Sequence, residues 1–271
     1  MIKASATISL VSSLRGGPWI YWDDLAESCR KAGALGFDGV ELFTATSSEI
    51  EEGSFKDLLA ANNLACSAVG TGAGKVLNGW TLTHADPDNR DQAIGFIRGM
   101  IDFGARFGAP AIIGSMQGNV EKGEEREAVL DRLAEGLNVL GKHAEMQGVP
   151  LVYEPLNRYE TNLFNTLESG VEFLDRLDTK NVVLLADLFH MNIEEASIGD
   201  AIRASGDRIG HVHLADSNRR PAGFGHTDIG EAARALKDIG YTGYASAEAF
   251  AWPDPDAAAE QTIQAFKEHF G

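Results

Sequence analysis

The chain repeats one rhythm of apolar and polar positions almost from end to end. An amphipathic stretch, with apolar residues three and four apart, runs to a glycine, and two to four residues later comes a short run rich in Val, Ile and Leu. The joins read GFDGVEL (36 to 42), FGAPAIIG (107 to 114), QGVPLVYEP (147 to 155) and IGYTGYASAE (239 to 248). KNVVLLAD (180 to 187) and RIGHVHLAD (208 to 216) enter their apolar runs from polar residues. With ATISL and LACSAV, these make eight predicted strands. Between them the spacing predicts eight helices, over about 22–34, 48–62, 88–107, 124–147, 166–177, 197–205, 229–239 and 255–269. In the fourth, Leu133, Leu137 and Leu140 fall at i, i+4 and i+7, one face that should pack on a sheet. Strict alternation implies a parallel sheet with right-handed crossovers. Eight units in 271 residues have the size of a closed α/β barrel, (β/α)₈, the TIM barrel, with a doubly wound open sheet as the alternative. No Pro/Ser-rich linker divides the chain, so residues 1–271 are read as one barrel domain.

Composition narrows the function. With 44% hydrophobic and 23% charged residues there is material for a large core. Lys plus Arg number 23 against 40 Asp plus Glu, and a formal charge of −17 repels phosphodiester backbones and anionic lipid, so neither nucleic acid nor membrane is expected as a partner. Two cysteines, Cys29 and Cys66, without a CxxC supply neither a disulfide framework nor a thiolate zinc site, which fits a reducing cytoplasm. The opening MIKASATISLVSS breaks its apolar run with Ser and Thr and reads as a first strand, not a secretory signal.

In such a barrel, active groups come from the C-terminal ends of the strands. The fifth predicted strand ends at Glu154, the sixth at Asp187, the seventh carries His213 near its end, and the eighth ends at Glu248. The spacings of 33, 26 and 35 residues are each one unit, so four polar groups converge from consecutive strands. Three carboxylates and one imidazole suit a single hard divalent cation, Mn²⁺ first, with Mg²⁺ or Co²⁺ as alternatives. Three negative charges around one such ion also leave a carboxylate able to accept a proton.

Two segments around these residues, EPLNRYETNLFNT from Glu154 and ADLFHMNIEEASIGDAIR from Ala186 with the following GHVHLADSNRRPAGFGH, carry a resemblance. They resemble the xylose-isomerase-like barrel superfamily and, within it, the D-tagatose 3-epimerase (D-psicose, or allulose, 3-epimerase) family of sugar epimerases. The resemblance implies that Glu154, Asp187, His213 and Glu248 hold the metal. It further implies that Glu160 contacts the C1 end of a ketose and that His190 and Arg219 hydrogen-bond its carbonyl region. It implies homodimers or homotetramers. The chain departs from the family pattern at Pro155, where the epimerases usually have Val, and in the loop GSMQGN, which carries no aromatic residue; Trp19, Tyr21 and Trp22 are offered after the first strand instead.

The implied reaction is inversion at C3 of a free ketose through an enediolate, with Glu154 and Glu248 as the two catalytic bases and the metal as Lewis acid. Aldose–ketose isomerisation, including the hydroxypyruvate type, and dehydration of the inosose dehydratase kind would use the same centre. Weaker signals remain. GTGAGK (70 to 75) fails the GxxxxGK[ST] pattern and is expected to be an active-site loop. Arg158, Arg219 and Arg220 could meet a sugar phosphate, although the matching segments favour a free sugar, and His226 is either a supporting group or plain surface. DNA-cleaving enzymes of the same fold would need more histidines than the seven present and a basic face. A non-enzymatic sugar-binding protein would not need acids converging at strand ends.

Overall fold

The computed structural model describes residues 1–271. Its strands are β1 (Lys3–Ser9), β2 (Tyr21–Trp22), β3 (Gly39–Phe43), β4 (Ala65–Gly70), β5 (Ala111–Ile113), β6 (Leu151–Tyr153), β7 (Val182–Asp187), β8 (Ile209–His213) and β9 (Tyr244–Ala247). All pairings are parallel, in the order β2-β1-β3-β4-β5-β6-β7-β8-β9. β1 also pairs with β9, from Lys3↔Tyr244 to Ala6↔Ala247, so eight strands close into a TIM barrel. The ninth, β2, was not predicted. Beyond Ala6 the last strand has left the edge of β1, and Tyr21 and Trp22 occupy that edge at Ile8 and Ser9.

The helices are α1 (Leu25–Leu35), α2 (Glu52–Ala61), α3 (Ala73–Asn78), α4 (Pro87–Ala105), α5 (Arg126–Met146), α6 (Leu167–Asp175), α7 (Leu188–Glu194), α8 (Ile198–Ser205), α9 (Ile229–Asp238) and α10 (Pro255–Phe270). Eight of these fall within a few residues of the predicted helices. The other two, α3 and α7, are short helices in strand-to-helix loops, too brief to show an amphipathic period.

Local chemistry explains the boundaries. α4 and α10 each start with Asp-Pro: Asp86 accepts from the Asp88 N–H and Asp254 from the Ala257 N–H, while the proline fills a position whose own N–H would have no partner. At the other ends, Gly36, Gly108, Gly148 and Gly240 have φ between 69° and 87°, the left-handed conformation that turns the chain back toward the sheet. These are the glycines of the repeating sequence unit. No helix is long and apolar enough to cross a membrane.

The pleat divides each strand between two environments. Outward residues such as Val40, Leu42, Ile113, Leu151, Leu184 and Val212 join a 65-residue core with the buried helix faces, Leu133, Leu137 and Leu140 among them. Ala68, Ile112, Val152 and Leu185 form a separate apolar cluster from β4 to β7. On β8, β9, β1 and β3 the buried residues that alternate with the outer core are instead His211, Ser246, Ser5, Thr7 and Glu41. One flank of the barrel interior is therefore polar, and the site is built above it.

Candidate metal centre and sugar cavity

Glu154 follows β6 by one residue, Asp187 and His213 end β7 and β8, and Glu248 follows β9 by one residue. Because these four strands are consecutive, the side chains meet. His213 Nδ1 lies 3.5 Å from Asp187 Oδ2 and 3.6 Å from both Glu154 Oε1 and Glu248 Oε2. One ligand atom from each residue lies within 4.8 Å of the others. Glu154 Oε1, Asp187 Oδ2 and His213 Nδ1 are buried and have no hydrogen-bond partner. Buried polar atoms are rarely left unpaired, and these two oxygens and one nitrogen, with a Glu248 oxygen completing a set of three oxygens and a nitrogen, fit a hard divalent cation.

Asp187, Glu154 and His213 are held by their other atoms. The second oxygen of Asp187, Oδ1, caps α7, accepting from the Phe189 N–H (2.7 Å) and His190 N–H (3.3 Å). The main-chain carbonyls of Glu154 and Gly114 both accept from Gln117 Nε2 at 3.0 Å, and Gln117 Oε1 accepts from the Tyr153 hydroxyl at 2.6 Å. Gly114 leaves room: a Cβ there would run into Glu154 Oε2. His213 turns its far nitrogen, Nε2, to Glu41 Oε1 at 3.1 Å, and the other oxygen of Glu41 receives His211 Nε2 at 2.8 Å.

The charges shift accordingly. Burial pushes Glu248 up to about 7, reinforced by the charges of Glu154 and Asp187 and opposed by His213 and Arg219. Burial acts against ionisation of Asp187 as well, but His190 and His213 outweigh it and hold the carboxyl well below its usual range. Burial would lower His213, yet the charges of Glu41 and Glu248 carry it well above an ordinary histidine. For Glu41 burial is again outweighed, by His213 and His211, and its carboxyl stays ionised.

Above the carboxylates lies a cavity of about 220 Å³ lined by Glu154, Glu248, Glu160, His213 and Arg219. His190 is 1% exposed, and its Nε2 is buried without a partner, 3.7 Å from Glu154 Oε1 and 3.6 Å from Asp187 Oδ2. Its Nδ1 accepts from Asn157 Nδ2 at 2.7 Å, and the Tyr159 N–H on Asn157 Oδ1 fixes which way that amide faces. With Nδ1 an acceptor, Nε2 carries the proton.

Arg219 donates from Nη2 to Glu248 Oε2 (2.6 Å) and from Nη1 to Glu160 Oε1 (3.3 Å), and its guanidinium lies over the Phe189 ring at 4.8 Å. Its backbone has φ +58, a strained conformation for a non-glycine residue. Main-chain bonds from Arg219 N to Asp216 O and from Phe250 N to Arg219 O, both 2.8 Å, hold it there.

Five of the seven sequence-predicted site residues thus line one cavity, and the other two, Asp187 and His190, lie against them at its floor, within 3.7 Å of Glu154 or His213. Glu41, His211, Asn157, Gln117 and Asp216 were not singled out from the sequence. Of the weaker signals, GTGAGK supplies Gly70, Thr71 and Gly72 to the cavity wall before its remainder enters α3. His226 is exposed and belongs to the surface. Of the three arginines only Arg219, paired with Glu248 and Glu160, lines the cavity; Arg158 pairs with Glu194 at 2.8 Å and Arg220 lies over Trp252 at 4.1 Å.

Residues 29–269 match the family model described as xylose isomerase-like TIM barrel, and the chain belongs to that family. Among curated proteins it is 33% identical over 244 residues to the D-psicose 3-epimerase of Ruminiclostridium cellulolyticum, covering 86% of this chain and 82% of that one. It is 31% identical over 258 residues to the L-ribulose 3-epimerase of Methylomonas sp. (92% and 88% covered). A crystal structure of D-psicose 3-epimerase with D-tagatose from Clostridium cellulolyticum H10 superposes with a TM-score of 0.80 at 27% identity, covering 99% and 98% of the two chains. These relatives place the protein among the isomerase-class enzymes.

Proposed function

We propose that this one-domain barrel is a divalent-metal-dependent 3-epimerase of a free ketose. The carrying observation is the set of three buried, unpartnered ligand atoms of Glu154, Asp187 and His213 facing Glu248 beneath a sugar-sized cavity. The names of the relatives, D-psicose and L-ribulose 3-epimerase, point to the same chemistry. A divalent ion held by the four residues, Mn²⁺ by preference with Mg²⁺ or Co²⁺ as substitutes, would act as a Lewis acid on the substrate oxygens.

The chain's own groups do the rest. The C3–H of a ketose is acidic because the neighbouring carbonyl can take the charge, and that charge must be met by donors already in place. His190 Nε2–H and the Arg219 guanidinium supply them. Inversion requires a proton to leave one face and return on the other. Glu154 and Glu248, on strands three apart around the barrel, serve as the two bases. Arg219 couples Glu248 to Glu160 and so ties the base to the residue assigned to the C1 end of the sugar.

The lining bears on the substrate class. Its only Lys or Arg side chain is Arg219, already paired with Glu248 and Glu160, which suits an unphosphorylated sugar. Trp19, packed 4.3 Å from the Phe43 ring, gives the lining an aromatic face, whereas the GSMQGN loop contributes only Gly114 and Ser115.

The test is turnover of free ketoses in D₂O by the metal-stripped and Mn²⁺-reconstituted enzyme, with products read by NMR after the metal is removed. Metal-dependent deuterium at C3 with appearance of the 3-epimer is expected. Deuterium at C1 or C2 with an aldose product, or loss of water, would replace the reading with an isomerase or a dehydratase. Glu154→Gln and Glu248→Gln should each lower kcat by at least roughly 10³-fold. Wild-type turnover in either would sink the two-base mechanism.

A further inference from the structure

The buried acid of β3 has no part in the mechanism above. Glu41 is 5% exposed, and its neighbours Val40 and Leu42 face the outer core, so the pleat turns its carboxylate into the barrel. Neither Lys nor Arg pairs with it. Its hydrogen-bond partners are the two imidazoles of β8: Oε2 takes His211 Nε2 at 2.8 Å, and Oε1 takes His213 Nε2 at 3.1 Å. β3 and β8 are not neighbours in the sheet; β9 and β1 lie between them. The contact therefore spans the barrel interior, directly beneath the ligand cluster. A buried carboxylate carries a desolvation cost of several kcal/mol, and a pair of Thr or Val residues could fill the same space at less.

We propose that Glu41, steadied by His211, is a positioning residue that fixes His213 as the Nε2–H tautomer and delivers its Nδ1 lone pair to the cation. This rests on the metal reading of the site. A neutral imidazole has one protonated nitrogen and one lone pair, and the hydrogen bond at one nitrogen decides which is which. Because Glu41 can only accept, Nε2 must donate. Nδ1 is then left as the acceptor, and it is the atom that lies 3.5 to 3.6 Å from the three carboxylates without a hydrogen-bond partner.

The role of His211 follows from the same counting. It takes the second oxygen of Glu41 and stops the carboxylate from rotating both lone-pair sets onto His213. Glu41, His211 and His213 also lie close enough to hold an ion of their own. That alternative requires His213 to lose both ring protons when the main centre is filled, and it requires Glu41 to give up both imidazole bonds. The hydrogen-bonded arrangement needs neither.

Two measurements that do not involve turnover test the proposal. Mn²⁺ uptake is followed by loss of the free-ion EPR signal, and the ¹⁵N shifts of His213 are read in protein loaded with diamagnetic Zn²⁺. Wild type should take one ion per chain and show a protonated Nε2 with a metal-ligated Nδ1. Glu41→Gln should bind Mn²⁺ about 10- to 100-fold more weakly, the range for loss of a group orienting a ligand, and should lose the Nε2–H signature with its metal-free melting transition still cooperative.

Should that variant fail to fold, His211→Gln takes its place, with an expected loss of about threefold or more. Binding within twofold of wild type in the folded variant, an Nδ1–H tautomer in wild type, or two ions per chain would each overturn the proposal. A wild type that takes up no divalent ion would sink the proposed function itself, a different result from a tight-binding wild type matched by Glu41→Gln.

Discussion

At Asn157 a single amide sets which nitrogen of His190 carries the proton. Replacing it with Leu keeps the bulk but removes the donor, leaving only the weaker main-chain N–H at 3.3 Å on Nδ1. The imidazole can then present a lone pair to the cavity in part of the molecules. Asn157→Leu should lower kcat about tenfold on a ketose that wild type epimerises, a fraction of what loss of a whole oxyanion donor costs. An unchanged kcat would remove Asn157 from the account. Gly114 makes a sharper case, because no proton is involved. A methyl group there occupies the place of Glu154 Oε2, so Gly114→Ala should swing that carboxylate away and weaken Mn²⁺ binding by roughly 10- to 100-fold, measured by EPR titration. The strand backbone beneath it should be unaffected, and the melting temperature of the metal-free protein should change little.

Among the elements, the loop after β8 carries Arg219 and is organised by one buried carboxylate. Asp216 accepts from the N–H groups of Ser217 (2.7 Å), Gly223 (2.8 Å) and Thr227 (3.0 Å), and its own N–H bonds to Arg220 O. Burial alone would raise its pKa; these backbone donors outweigh it and lower it. A depressed folded-state pKa adds stability that is present above the unfolded value of about 3.9 and is lost as pH falls through the folded one. Asp216→Asn should therefore cost on the order of 2 kcal/mol at neutral pH, a penalty that shrinks as pH falls below the unfolded value of about 3.9. A penalty constant from pH 7 to pH 3 in thermal melts would show that the charge is not what holds the loop. Because the loop fixes the strained backbone of Arg219, the variant should also raise KM.

The strand ends were legible for a physical reason: a charged residue that closes an apolar run has few places to go but the barrel mouth. Glu154, Asp187, His213 and Glu248 carry that signal one at a time, and their one-unit spacing combines it. Glu41 and His211 carried a different signal that went unread, a polar residue inside an apolar run, GVEL and GHVHL. With period 2 alternation, such a residue faces the opposite side from its apolar neighbours, toward the interior. Asn157 and Gln117 had no signal of this kind, since their roles depend on which backbone groups the fold brings near them. The short β2, α3 and α7 escaped because two, six and seven residues are too few to establish a period.

For the molecule as a whole, closure of the barrel gathers acids that the chain keeps far apart, in a protein already carrying a formal charge of −17. Three carboxylates within one ligand cluster repel one another when no cation lies between them. An ion bound there lends its binding free energy to the fold, about 2.7 kcal/mol when free ion is at 100 times Kd. With an unfolding entropy near 2 cal/mol/K per residue, that corresponds to a melting temperature higher by about 5 °C. Calorimetry of wild type with EDTA and with Mn²⁺ should show a rise of this size. The surface charge alone would attract divalent ions without specificity, so the comparison that matters is with Asp187→Asn, which keeps an oxygen to cap α7 but gives up the charge of one ligand. If the site is the origin of the stabilisation, the variant should lose most of the Mn²⁺-induced rise, read against its own EDTA-state melting temperature. An equal rise in both proteins would assign the stabilisation to diffuse surface binding and take away its link to the four strand ends.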